Sequence, residues 1–228
     1  MSFGQNLQFL RKMRNGMTQE ALAEKLNVSR QTVSKWEQGS VYPEMDKLLE
    51  LRELFSCTLD ELVAEDMSLA DEHYSDIRCE WVEQFRYIQY AVVSIEPEDD
   101  AKGRMERYAS MLGISEPRII GWDFPVVSQE QINVYNMHGY AAALILDDDI
   151  TCVSGAEMIR QERQRYAVIT IKQPFEAPFH LIPNAYKTLM AYMNTNSLSP
   201  KHEGVIPCFE KEYIIDGIDY MDVYIAIE

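Results

Sequence analysis

The sequence predicts two domains of different class. Residues 1–64 read as an all-α domain of five short helices. Residues 84–228 read as an α+β domain of two β-α-β-β repeats, an antiparallel sheet with two helices on one face. Three observations carry this. Helix caps and helical apolar spacing crowd the first 64 residues. From residue 84 the texture turns to β-branched and aromatic runs. Within that second half, one order of segments occurs twice.

Leu7, Leu10 and Met13 recur at helical spacing, and Gly16 closes their segment. Thr18 is placed to cap QEALAEKLN, with Glu20 near the positive end of the helix dipole. Ser29 caps RQTVSKWEQ, and Gly39 marks its end. Beyond Pro43, EMDKLLELRELF and TLDELVAED put Leu48, Leu51, Phe55, Leu59 and Leu62 on one apolar face. Residues 65–83, EDMSLADEHYSDIRCEWVE, are acidic and weakly patterned and read as a connector.

In the second half, YAVVSI (90–95) returns as YAVITI (166–171). Each is followed by a helical stretch with a tyrosine: GRMERYASML with Tyr108, and NAYKTLMAYM with Tyr186. The strands RIIGWDF and VIPCFEKEY come next, which aligns Trp122-Asp123 with Phe209-Glu210. Each repeat closes on a strand opening with Tyr: YAAALIL (140–146) and YMDVYIAI (220–227). One such unit alone leaves a sheet edge open and its helix half covered. Two units about a pseudo-twofold axis bury both and leave a groove where they meet.

The formal charge of −16 argues against nucleic-acid binding by the chain as a whole. The charge is uneven, however. Residues 1–43 hold six basic and three acidic residues, and screening confines phosphate attraction to roughly 10 Å, so the local balance decides. No run approaches the ~18 apolar residues of a membrane span, and the charged N-terminus lacks a signal-peptide core, so a cytoplasmic location without membrane partners is expected. Cys57, Cys79, Cys152 and Cys208 form no CxxC, and His73, His138, His180 and His202 are scattered, so neither a disulfide framework nor a metal site is expected. No nucleophile elbow or phosphate-binding glycine loop occurs, so no cofactor is expected either.

The segment RQTVSKWEQ shows what the basic part is for. At about 100° per residue, Arg30, Gln31, Ser34, Lys35 and Gln38 share one polar sector, with Val33 and Trp36 on the other side. Arg and Lys suit guanine O6/N7, and Gln suits adenine N6/N7. TQEALAEKLNVSRQTVSKWEQG resembles the helix-turn-helix of the Cro/cI type, the XRE family, and the resemblance covers roughly residues 4–64. It implies a five-helix bundle whose third helix enters the major groove of operator DNA, bound as a homodimer on half-sites one helical turn apart. It also implies base-edge contacts from Arg30, Gln31 and Lys35 and phosphate contacts from Gln19, Ser29 and Thr32. A basic residue of helix one paired with the Glu after the aromatic would here be Lys12 with Glu37.

In the last strand, Met221, Val223, Ile225 and Ile227 point one way, as core. Tyr220, Asp222, Tyr224 and Ala226 point the other, a face suited to a groove wall. Glu210 sits in an apolar strand centre, where a carboxylate reaches solvent, pairs with a lysine or awaits a cationic ligand. Residues 84–228 resemble the GyrI-like, AraC-type effector-binding domain, most clearly in YAVITI, NAYKTLMAYM, IPCFEKEY and YMDVYIAIE. The resemblance implies a small lipophilic or cationic effector in an aromatic pocket with a buried acid. Glu210 matches that acid, and Tyr186 and Tyr224 match wall positions. Trp122 joins them through the internal repeat, as the partner of Phe209. The combined expectation is a ligand-responsive transcription regulator without enzymatic activity. Two alternatives are a GyrI-like hydrolase of alkylating compounds, with Glu210 as base and Tyr224 as its partner, and a gyrase- or protein-binding module.

Overall fold

The computed structural model describes residues 3–14, 16–64, 73–124, 127–150 and 153–228. Cys152 and residues 65–72 of the expected connector lie outside them. The chain forms two compact units, one of Met1–Ser75 with Ala177–Ser199 and Glu228, the other of Asp76–Glu176 with Pro200–Ile227.

The first unit holds α1 (Phe3–Met13), α2 (Gln19–Leu26), α3 (Arg30–Glu37), α4 (Met45–Phe55) and α5 (Leu59–Val63). The expected caps form. Thr18 Oγ accepts the Ala21 N–H, and Ser29 Oγ accepts the Thr32 N–H. Thr58 and Glu61 form a reciprocal capping box. Asn27 takes the left-handed conformation that ends α2 and opens the short turn to α3. Leu7, Leu10, Leu22, Val33, Trp36, Leu51, Phe55 and Leu62 close one core. Gly4 is required in it: a Cβ there would lie 2.5 Å from the carbonyl oxygens of both Trp36 and Glu37, where α1 crosses the end of α3. The same unit contains α8 (Pro178–Thr195), which in sequence joins two strands of the second unit. The Thr195 hydroxyl donates to the Phe55 carbonyl, the Asn196 amide to the Met13 carbonyl, and the Tyr74 hydroxyl to the Leu181 carbonyl. Burial pushes the Cys57 thiol up to about 11, away from the thiolate form.

Among the described residues the sheet has eight strands: β1 (Tyr74–Val82), β2 (Phe85–Ser94), β3 (Arg118–Asp123), β4 (His138–Leu146), β5 (Ile159–Gln161), β6 (Gln164–Lys172), β7 (Cys208–Ile215) and β8 (Ile218–Ala226). With α6 (Pro97–Met111) between β2 and β3, and α8 between β6 and β7, the β-α-β-β order is present twice. The spatial order β1-β6-β8-β7-β3-β4-β2-β5 shows the repeat directly, since β6-β8-β7 mirrors β2-β4-β3. The halves meet through the antiparallel pair Gly121↔Glu210. They differ in their last connection. Asp216-Gly217 turns β7 tightly into β8, whereas α7 (Gln129–Asn133) lies between β3 and β4. Tyr74–Val82 is a strand although its sequence reads as connector. Its charged residues Asp76, Arg78 and Glu80 alternate with Ile77, Cys79 and Trp81, and that polar side is held by ion pairs instead of an apolar core.

One face of the sheet carries Ile88, Tyr140, Ala142 and Leu144, packed under Ala101, Met105 and Ala109 of α6. The other carries Tyr87, Ile120, Tyr166, Val168, Phe209 and Tyr224, with Trp122 against them.

Candidate functional site

The first candidate surface is α3. Val33 is fully buried and Trp36 nearly so, which turns the opposite side of the helix outward. Arg30, Gln31, Lys35 and Gln38 are exposed, as is the capping Ser29, and Thr32 and Ser34 are half-buried. The Ser29 and Thr32 hydroxyls lie 2.8 Å apart, and the Gln38 amide donates to Ser34 Oγ.

The acid after the aromatic, Glu37, is paired with Arg11 and not with Lys12. Arg11 Nε donates to Glu37 Oε1 at 2.6 Å and Nη2 donates to Oε2 at 3.1 Å, with only 9% and 4% of the two side chains exposed. The reason is helical phase. Arg11 follows Leu7 by four residues and shares its buried stripe, while Lys12 lies about 100° further round and is exposed. A planar guanidinium also suits a two-pronged contact that an ammonium cannot make. The same carboxylate accepts the Gln19 amide at 2.8 Å, so Glu37 ties together α1, the start of α2 and the end of α3.

The second candidate is a cavity of about 700 Å³ in the sheet unit, lined by the first residues of β3 and by Phe209–Tyr213, with Glu80, Phe85 and Tyr224. Its aromatic wall is tightly built. Phe209 and Tyr224 stack with centroids 4.3 Å apart, and Tyr166 meets both edge-on at 5.2 and 5.9 Å. Phe209 pairs with Tyr224 across β7 and β8, and neighbouring Glu210 pairs with Val223. Alternation therefore sends Glu210 to the face opposite Tyr224, although it still borders the cavity at the seam. Trp122 is on the aromatic face, as its alignment with Phe209 requires. Tyr186 lies on α8, in the other compact unit.

The buried carboxylate on the aromatic face is Asp222, 5% exposed. Its Oδ1 accepts the hydroxyls of Thr170 at 2.6 Å and Tyr213 at 3.1 Å, and its Oδ2 accepts Arg78 Nη2 at 3.0 Å. The alternation of YMDVYIAI places it beside Tyr224. Its partner Arg78 lies on a segment whose sequence reads as connector. Burial opposes the charge on Arg78, but its hydrogen bond to Glu80 and the charge of Asp222 outweigh this and raise its pKa. Burial, then the Asp222 charge, raises the Tyr224 hydroxyl far above the usual phenol range.

On the opposite face the Tyr140 hydroxyl is buried without a hydrogen-bond partner among the described residues. It sits over Gly121, where a Cβ would come within 2.1 Å of its oxygen. Burial and then the Glu210 charge push its pKa strongly upward. Among the described residues no cluster of three or more His, Cys, Asp or Glu could hold a metal ion, and no helix is long and apolar enough to cross a membrane.

The helix-turn-helix family model matches residues 7–62, the five-helix bundle just described. Residues 7–62 are a helix-turn-helix domain. A curated relative, the HTH-type transcriptional activator BcrR of Enterococcus faecalis, is 50% identical to the chain over 64 residues. The match spans 28% of this chain and 31% of the relative, so the chain spans about a third of the length of the curated relative it matches. A transcriptional regulator from Listeria innocua is 32% identical, covering 31% of this chain and 65% of its own, with a TM-score of 0.27. The EcmrR–DNA complex is 8% identical, covering 92% of this chain and 98% of its own, with a TM-score of 0.49.

Proposed function

We propose that the protein is a ligand-responsive transcription regulator. Its helix-turn-helix reads operator DNA, and the cavity of its sheet unit takes a small lipophilic or cationic effector. One observation carries this reading: a single chain joins a helix-turn-helix, with Arg30, Gln31 and Lys35 outward, to an aromatic cavity bordered by carboxylates. In the complex, Arg30, Gln31, Lys35 and Gln38 reach base edges, and Gln19, Ser29, Thr32 and Ser34 approach phosphates. Two copies bind as a homodimer, because one short helix makes few contacts. Effector binding acts on DNA affinity only through a difference in affinity between two conformations of the protein.

In the cavity, Tyr224 and Phe209 supply ring faces to a flat or cationic guest, with Trp122 behind them and Glu210 at the seam. A thermal-shift series with tetraphenylphosphonium, on wild type, Tyr224→Ala and Glu210→Gln, tests this. Stabilisation of wild type that shrinks in Tyr224→Ala supports the aromatic site. A shift unchanged in Tyr224→Ala refutes it. The Glu210→Gln arm decides whether the seam carboxylate contributes charge.

A further inference from the structure

The acid end of the aromatic face is already filled by a cation from the same chain. Arg78, on the edge strand β1, directs Nη2 to Asp222 at 3.0 Å, Nε to Glu80 at 2.8 Å, and Nη1 to Asp76 at 2.9 Å and to the Thr170 hydroxyl at 3.0 Å. Each prong of the guanidinium has an oxygen partner, in the planar geometry that suits this group and not an ammonium. Glu80 and Tyr224 line the cavity, and each also touches the receptor, Glu80 by accepting Arg78 Nε and Tyr224 by its hydroxyl 3.4 Å from Asp222 Oδ2. The cavity and the filled receptor therefore share a wall. β1 is also the strand by which the chain enters the second unit from the helix-turn-helix side of the sequence.

We propose that Arg78 is a built-in competitor, an internal guanidinium that closes a cation receptor made by Asp222, Glu80 and Thr170. An aromatic guest carrying an amidinium or guanidinium head takes its place when β1 lifts away. This rests on the effector reading of the cavity and adds to it the class of head group and the element that moves. A planar cation with several N–H donors can replace the bonds Arg78 gives up. A quaternary cation such as tetraphenylphosphonium has no N–H and cannot, so it stops at the aromatic wall. The closed form lowers apparent affinity by the fraction of time the receptor is blocked, and removing the internal cation removes that handicap.

The test is calorimetric titration of benzamidinium into wild type, Arg78→Ala and Arg78→Ala/Asp222→Asn, with tetraphenylphosphonium in parallel. Benzamidinium is expected to bind Arg78→Ala about tenfold more tightly than wild type, an increment set by the closed population, and to lose that gain in the double variant. Tetraphenylphosphonium is expected to bind all three alike. Equal benzamidinium affinity in wild type and Arg78→Ala, or a gain that survives Asp222→Asn, overturns the proposal. Should tetraphenylphosphonium bind none of the three, it is the effector reading itself that fails. Stability gives an independent readout, since vacating a buried carboxylate weakens the fold. Methylguanidinium is expected to raise the melting temperature of Arg78→Ala and leave wild type unchanged. If Arg78→Ala does not fold alone, refolding it with and without methylguanidinium makes the same distinction, and no recovery counts against the receptor.

Discussion

Arg11 and Glu37 are 26 residues apart and meet as a two-pronged ion pair inside the helix-turn-helix, with both side chains almost sealed from water. Glu37 ends α3, the helix proposed to face DNA, and Arg11 belongs to the first helix. The pair fixes the angle at which α3 is presented. Deleting one partner strands a buried charge, so Glu37→Ala is expected to destabilise this domain by about 3–5 kcal/mol. Thermal melts followed by circular dichroism check this, and Lys12→Ala, at an exposed position, is expected to change little.

Gly4 gives a steric counterpart. The Cβ of Gly4→Ala would press on the carbonyls of Trp36 and Glu37, which are backbone and cannot rotate away. The expected loss is about 1–3 kcal/mol, read from urea midpoints. Gly103→Ala, where an added Cβ meets only an arginine side chain at 3.6 Å, is the control and is expected to be neutral or stabilising.

Tyr140 is expected to tolerate loss of its hydroxyl. The oxygen is buried without a partner among the described residues, so Tyr140→Phe removes an unsatisfied group and is expected to stabilise by about 1 kcal/mol at neutral pH. Alkaline pH supplies a second check. Tyr140, Tyr166 and Tyr224 all have pKa values raised by burial. Above about pH 10 the unfolded chain releases these protons while the folded one keeps them, so stability falls as pH rises from there. Tyr140→Phe is expected to flatten that fall, as measured by melting temperature between neutral and alkaline buffers.

Arg30 and Lys35, both proposed to reach base edges, are expected to fail alike, each through lost sequence preference. Arg30→Ala is expected to cost about 1–3 kcal/mol of operator binding and to relax the sequence preference at one base pair. Were Lys35 on a phosphate, Lys35→Ala would weaken all sequences alike and reduce the salt slope by about one. Fluorescence anisotropy at several salt concentrations separates base-edge from backbone contact at each position.

Much of the fold is legible in the sequence because it is written in local signals. Thr18 and Ser29 are caps whose chemistry is complete within four residues, and Val33 and Trp36 lie on one helical face whatever surrounds them. The internal repeat survives into the order of strands, so the antiparallel sheet follows from it. What is not legible depends on partners far away in the chain. Asp222, a buried acid, is paired with Arg78, 144 residues earlier in the chain. β1 is a strand by joining the sheet edge beside β6, a distant segment, so its own pattern gives little warning. Glu210 shows how sensitive a site is to phase: one residue from Phe209, it faces away from the rings that its neighbour stacks on. Lys12 and Arg11 differ by one position in the same way.

The central claim is that the exposed face of α3 reads DNA. The most direct test is footprinting of the full chain on its own upstream DNA at low salt, comparing wild type with Arg30→Ala/Gln31→Ala/Lys35→Ala. Wild type is expected to protect two half-sites about one helical turn apart, and the triple variant, folded by circular dichroism, to protect neither. Protection by the triple variant equal to that of wild type, or none by wild type, would contradict it.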